Sequence, residues 1–156
     1  VLEDGDMVLT QSGVIQDYIS SKSGKLGGKS AAERREILRW MFFDNHKVSG
    51  VAGLLRAQMN FLPEAKRSTD VIGFMSMRLA AALTIIETHL TNRDWLASET
   101  MTIADIACAG YLFYPEPFTF DRAEYPHINR WLDSIAGTPG WKPPYELMPG
   151  SPADRA

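Results

Sequence analysis

The spacing of apolar residues predicts helices over most of this chain. From residue 31 onwards, apolar side chains recur at intervals of three and four residues, the spacing of one face of an α-helix. The longest series predicts one amphipathic helix from Ile72 to Leu90. Two shorter series predict a helix on each side of it. The apolar positions are Ile37, Trp40, Met41 and Val48 in the first helix, Ile72, Met75, Leu79, Leu83, Ile86 and Leu90 in the second, and Ile128, Trp131, Leu132 and Ile135 in the last.

The first 30 residues follow a different pattern. Val1-Leu2 and Met7-Val8-Leu9-Thr10 flank an Asp-Gly turn, which predicts a β-hairpin. A helix is then predicted over 14–19, with Ser12 as its N-cap. Glycine, serine and lysine dominate residues 20–30, which predicts a linker. Because two strands alone are marginal in water, the hairpin is expected to belong to a larger sheet, with further residues upstream of Val1. A free-standing helical bundle would leave these strands without a sheet.

The sharpest local signal is Thr102-Ile103-Ala104-Asp105, a capping box at a helix N-terminus. Asp105 is therefore expected to close a helix end in the core. The helix that follows, from Ile106 to about Tyr114, is rich in small residues and suits the centre of a bundle. The proline-rich tail after Trp141 is predicted to be extended.

Composition and charge exclude several classes of function. With 45% apolar and 22% charged residues among 156, the chain is typical of a soluble globular protein. A net charge of −3 does not favour nucleic acid or an anionic membrane. No apolar run approaches the roughly 20 residues of a membrane span, and the first residues lack a signal-peptide pattern. The single cysteine, Cys108, predicts neither a disulfide nor a cysteine-rich metal site and suits a reducing cytoplasm.

The order of these features resembles the glutathione transferases. That family has a strand, an acidic or amide residue plus serine at a helix start, a linker, and a helical domain with the capping box seen here as TIADIA. The ending YPHINRWLDSIAGTPGWKPPYELMPG is similar to bacterial members. The resemblance implies a mainly α fold: a C-terminal helical bundle preceded by the last β-hairpin and helix of a thioredoxin-like α/β domain. It places the thioredoxin-like remnant at 1–20, the linker at 21–30 and the helical domain at 31–156.

The resemblance also implies a function. A glutathione transferase conjugates the glutathione thiolate to a small hydrophobic electrophile in detoxification, with glutathione as co-substrate and no metal. The thiol-activating residue is expected upstream of Val1, so no catalytic residue is named in this chain. The family is usually homodimeric, and the start of the helix after the linker and the helix through Ile72–Leu83 are the expected contact surfaces. The alternative is a non-catalytic member that binds glutathione or acts as a scaffold or stress-response protein.

Two sets of candidate site residues follow. A helix N-terminus stabilises a carboxylate, so Gln11 and Ser12 are candidates for binding one. The resemblance implies that the ligand group is the γ-glutamyl end of glutathione; alternatively, Ser12 only caps its helix. The resemblance places a hydrophobic co-substrate pocket along the helix after the linker and the capping-box helix. Core packing, surface exposure or bonds between helices are the alternatives for its members. They are Trp40, Phe43, Asn45, His46, Tyr111 and Tyr114.

Overall fold

The computed structural model describes residues 1–148 and begins with a two-stranded antiparallel sheet. Strands β1 (Leu2–Asp4) and β2 (Met7–Leu9) pair with Leu2 opposite Leu9 and Asp4 opposite Met7. Gly5 and Asp6 therefore form the turn, and Gly5 has φ +60°, which glycine adopts without steric strain. The predicted hairpin is confirmed, with Asp4 lying in the strand rather than in the turn.

Helix α1 (Ser12–Ser23) follows the hairpin and differs from the prediction at both ends. Its N-cap is Gln11, not Ser12, and Ser12 is the first helical residue. At its other end the helix continues to Ser23, three residues into the segment predicted as a linker, and ends at Gly24 in the left-handed conformation. Leu26 then joins this segment to the helical bundle, because its carbonyl oxygen accepts the Ile103 amide at 3.0 Å.

A continuous helical stretch runs from residue 31 to residue 61 and contains two π-helical segments. Helix α2 (Ala31–Phe43) is capped by Ser30, whose side chain accepts the Glu33 amide. A π-helix (Asp44–Val48) separates it from α3 (Ser49–Arg56), and a second π-helix (Ala57–Phe61) follows α3. Two glycines of this stretch pack closely against other atoms. A Cβ at Gly53 would lie 2.9 Å from the Tyr111 hydroxyl oxygen.

Helix α4 (Thr69–His89) continues into a 3-10 turn (Leu90–Asn92) and contributes one face to the core of the bundle. The predicted apolar series faces inward, with Leu79, Leu83 and Ile86 fully buried. By length and composition alone, the stretch from Thr69 to Asn92 could cross a bilayer, with a mean hydropathy of 1.5 in its best window. The sequence did not predict a span because charged residues interrupt its apolar runs. Core helices pass the same test, and α4 packs on both α3 and α6.

The capping box opens α5 (Ile103–Ala109) as predicted. The α-helix ends earlier than expected, because a 3-10 turn (Gly110–Phe113) replaces its last residues. Cys108 is a fully buried free thiol in the core.

Helix α6 (Pro126–Ala136) begins with a proline at its first position and buries the predicted series Ile128, Trp131, Leu132 and Ile135. The prediction of an extended tail is wrong for Pro144–Leu147, which form a short helix, α7. The Tyr145 side chain in α7 packs on Tyr114, with ring centres 5.5 Å apart. The predicted tail beyond residue 148, and with it the end of the helical domain predicted for 31–156, lies outside the described residues.

Candidate functional site

A cavity of about 350 Å³ lies between the start of α1, the end of α2 and helix α5. Its lining combines polar residues with apolar side chains of α1, α2 and α5. A cavity that combines an apolar wall with a few polar groups is typical of a small-molecule site. Its polar lining residues are Gln11, Ser12, Asp17, Asp44 and Asn45, and the others are Gly13, Val14, Leu38, Met41, Phe42 and Ala107.

The start of α1 gives the cavity an anion-binding end. The first amides of a helix have no intrahelical acceptor, and here they belong to Ser12, Gly13 and Val14. No acidic residue in the first turn neutralises the partial positive charge of this end. The Ser12 hydroxyl forms no hydrogen bond to any described residue, so it does not cap its own helix and can donate to a ligand.

Gln11 precedes this helix in a strained backbone conformation, with φ +67° and ψ 115°. Residues other than glycine rarely adopt positive φ, and such strain costs about 1–3 kcal/mol. The conformation lets the Gln11 carbonyl accept the Ile15 amide at 3.0 Å while the residue lines the cavity. Strained residues of this kind concentrate at ligand sites.

Asp44 is a site residue that the sequence did not predict. It lines the cavity although it is only 7% exposed. Its Oδ1 atom accepts the Ser49 hydroxyl at 2.8 Å and the Ser49 amide at 3.3 Å. Burial raises the pKa of the Asp44 carboxyl to about 6, against the lowering effect of the Ser49 bonds. In the sequence, Asp44 directly follows the apolar residues Phe42 and Phe43, and it occupies a position where the helical spacing predicts a core residue. This is the one signal in the sequence that could have indicated its role.

The structure brings only part of the predicted co-substrate set to this cavity. Asn45 lines it together with Gln11 and Ser12. Trp40 instead lies in the core, 1% exposed, where its ring packs edge-on against Phe43 and His89. Trp40 therefore offers no surface to a ligand in this cavity, because the inward face of α2 directs it into the bundle. His46 is exposed on the π-helix and does not line the cavity.

Tyr111 and Tyr114 lie around the buried side chain of Arg56, away from this cavity. The Arg56 guanidinium carbon is 3.7 Å from the centre of the Tyr114 ring and 5.7 Å from that of Tyr111. Glu116 neutralises the guanidinium at 2.8 Å, and the Tyr145 hydroxyl bonds to both groups. These cation–π and ionic contacts give the two tyrosines a packing role around Arg56. Whether they also contact a co-substrate stays a prediction.

Within residues 1–148, no cluster of three or more His, Cys, Asp or Glu side chains is placed to hold a metal ion. The candidate site of the described chain is this cavity, whose lining combines the start of α1, the buried Asp44 and apolar side chains. This lining makes the cavity a candidate small-molecule site at the junction of the hairpin–helix unit and the helical bundle.

Comparison with known proteins shows which family this chain is similar to. Residues 75–139 match the model of the glutathione S-transferase C-terminal domain. The chain is 27% identical over 128 residues to glutathione S-transferase psoE of Aspergillus fumigatus, covering 78% of this chain and 53% of that protein. It is 26% identical over 147 residues to elongation factor 1-gamma 2 of Saccharomyces cerevisiae, covering 88% of this chain and 35% of that protein. A possible glutathione S-transferase from Rhodopseudomonas palustris superposes with a TM-score of 0.77 at 30% identity, covering 86% of this chain and 63% of that one.

The chain is thus a homologue of the glutathione S-transferases and contains their C-terminal domain. It spans about half the length of the psoE protein and 63% of the Rhodopseudomonas palustris chain. The mostly helical bundle preceded by a β-hairpin agrees with the fold that the sequence predicted.

Proposed function

We propose that the protein carrying this chain is a glutathione transferase that binds the γ-glutamyl end of glutathione at Gln11 and Ser12. The observation that carries the proposal is the start of α1, which has no side-chain cap and whose residues Gln11, Ser12 and Gly13 line one cavity. A carboxylate is stabilised at such a helix start by hydrogen bonds and by the helix dipole. A cytoplasmic location fits the single, buried, unpaired cysteine.

The proposed reaction joins the glutathione sulfur to a small hydrophobic electrophile. A thiolate attacks the electrophilic carbon, a sulfur–carbon bond forms, and the leaving group departs with its electron pair. The free thiol is a weak nucleophile, so a site that lowers its pKa raises the reactive fraction at neutral pH. We assign no residue of this chain to that activation. Of the predicted co-substrate residues, Asn45 shares the cavity with the proposed glutathione residues.

The test is an assay of the full-length gene product with reduced glutathione and a chlorinated nitroaromatic. Ser12→Ala removes a hydrogen bond to a charged group, which is worth about 1.5–3 kcal/mol, so the KM for glutathione should rise roughly tenfold or more. Ser21→Ala is the matched control, because Ser21 is exposed on the same helix. An unchanged glutathione KM in Ser12→Ala would refute the assignment of this site.

A non-catalytic glutathione-binding or scaffold protein is the second candidate. The similarity to elongation factor 1-gamma 2 favours it, because that protein is not named as a transferase. Binding of glutathione without turnover of any electrophile tested would support this candidate over the enzyme.

We further propose that the protein is a homodimer. The outer face of α4 exposes Phe74 (53%), Met77 (63%) and Ile85 (52%), although α4 also buries an apolar face in the core. A helix with two apolar faces normally packs against another element on each of them. A second copy of the chain would cover this outer face.

A further inference from the structure

The buried carboxyl of Asp44 has no cationic partner. Asp44 is 7% exposed, and within residues 1–148 no lysine, arginine or histidine forms an ion pair with it. Aspartate is rarely buried unless it is paired, since burial disfavours the charged form. A buried carboxyl without a cationic partner at a cavity wall indicates a role other than packing.

Asp44 holds the backbone that shapes this wall. Its Oδ1 atom accepts both the hydroxyl and the amide of Ser49, one residue beyond the end of the π-helix Asp44–Val48. The same turn requires a glycine at position 50, because a Cβ there would lie 2.7 Å from the Asn45 carbonyl oxygen. Asp44, Ser49 and Gly50 thus fix the turn from which Asp44 and Asn45 line the cavity. No described residue donates to Oδ2, which leaves this oxygen for a ligand.

Few other titratable groups act on Asp44. From α5, the Cys108 thiol interacts with it electrostatically, and burial keeps the pKa of that thiol well above its usual value, which favours its neutral form. From α1, Asp17 lines the same cavity and is exposed. His46 and Lys47 follow on the π-helix and are also exposed. No charged side chain of α2, α3 or α4 pairs with Asp44 in the described part of the chain.

Resting on the proposed function, we infer that Asp44 makes the affinity of this cavity for glutathione depend on pH. The γ-glutamyl end carries a carboxylate and an ammonium group on one carbon. With the carboxylate at the start of α1, the ionised Asp44 attracts the ammonium across the cavity. Protonation of Asp44 removes that attraction and also makes its carboxyl a weaker acceptor for the hydrogen bonds from Ser49. Affinity is therefore high with Asp44 ionised and falls when it takes up a proton.

Isothermal titration of the full-length gene product with reduced glutathione between pH 5 and pH 7 tests this inference. The groups of glutathione titrate outside this range, because α-carboxyls have pKa values below about 4 and α-amines and thiols above about 7.5. If only the ionised form binds, a pKa of about 6 for Asp44 makes the Kd about tenfold higher at pH 5 than at pH 7.

Two variants separate this effect from a general loss of structure. Asp44→Asn is nearly isosteric and should bind glutathione with one Kd at both pH values, at least tenfold weaker than wild type at pH 7. Ser49→Ala keeps the carboxyl but removes a hydrogen bond that lowers the Asp44 pKa, so the midpoint of the pH dependence should move to higher pH. If Asp44 and Ser49 had a merely structural role, the midpoint of the pH dependence of glutathione binding would not be expected to move to higher pH in Ser49→Ala.

The possible results of these titrations distinguish a failure of this inference from a failure of the proposed function. Glutathione binding with the same Kd at pH 5 and pH 7 in the wild type overturns this inference and leaves the proposed function intact. A tenfold pH effect that persists in Asp44→Asn overturns it as well, since another group would then be responsible. Absence of glutathione binding at every pH overturns the proposed function together with this inference.

Discussion

Asp105 accepts hydrogen bonds from three separate parts of the chain and has no exposed surface. Its Oδ1 atom accepts the Leu96 amide at 2.9 Å and the Trp131 indole N–H at 3.0 Å. Its Oδ2 atom accepts the Thr102 amide at 2.8 Å and the Thr102 hydroxyl at 3.0 Å. The side chain therefore closes the start of α5 and also ties α6 and the preceding loop to it. This confirms the structural role predicted for Asp105.

At the residue scale, Asp105→Ala should strongly destabilise the fold. The change leaves several buried donors without an acceptor, each costing about 1–3 kcal/mol, so the loss should reach roughly 3 kcal/mol or more. Denaturant unfolding of the purified protein measures it. Asp94→Ala is the control, because Asp94 forms only an exposed ion pair with Arg130 and should change stability by about 0.5 kcal/mol or less. Equal losses in the two variants would contradict the role given to Asp105.

The π-helix between α2 and α3 shows how one element shapes the candidate site. It places Asp44 and Asn45 at the cavity, and π-helical turns are frequent at functional sites. Its geometry depends on a close approach of backbone atoms at Gly50 that any side chain would obstruct. The geometry of this π-helix therefore depends on the glycine at position 50.

At the element scale, two glycine-to-alanine changes should have opposite effects. Gly50→Ala forces the Asn45 carbonyl away and should destabilise the protein by about 1–3 kcal/mol and weaken glutathione binding. Gly73→Ala on α4 meets no atom within 4 Å and should stabilise the protein by about 0.5–1 kcal/mol, because alanine loses less backbone entropy in a helix. Thermal unfolding of both variants measures the difference. A stabilising Gly50→Ala would show that the π-helix does not need glycine.

The whole molecule combines a buried bundle with an apolar outer face on α4. Phe74, Met77 and Ile85 stand exposed along that helix, while its opposite face fills the core. Large exposed apolar patches usually mark an interaction surface. The homodimer proposed above would cover this apolar outer face of α4.

At this scale, light scattering during size-exclusion chromatography should give the full-length gene product the mass of two copies. Phe74→Glu places a charge in the proposed interface and should raise the dimer dissociation constant roughly tenfold or more, since burying an unpaired charge is costly. Ser134→Glu adds the same charge on the exposed side of α6 and should leave the dimer intact. A monomeric wild type at micromolar concentration would refute the dimer.

The candidate site was only partly predictable from the sequence. Gln11 and Ser12 could be found because they stand together at a helix start, a signal carried by neighbouring residues. Trp40 and Asn45 lie on the same helical stretch, yet Trp40 faces the core and Asn45 faces the cavity. Which face of that stretch meets the cavity depends on how α1 and α5 pack against it, and no local pattern specifies that packing.

By itself, the sequence determined the helices, the hairpin, the capping box and the apolar faces of the core. Each of these depends on contacts between residues a few positions apart, whose spacing can be seen along the chain. Only the tertiary structure decided the burial of Asp44 in a cavity wall, the bond from Trp131 to Asp105, and the ion pair of Arg56 with Glu116. These contacts join residues that are distant in sequence or face another element. They form because buried polar groups must find partners wherever the folded bundle places them.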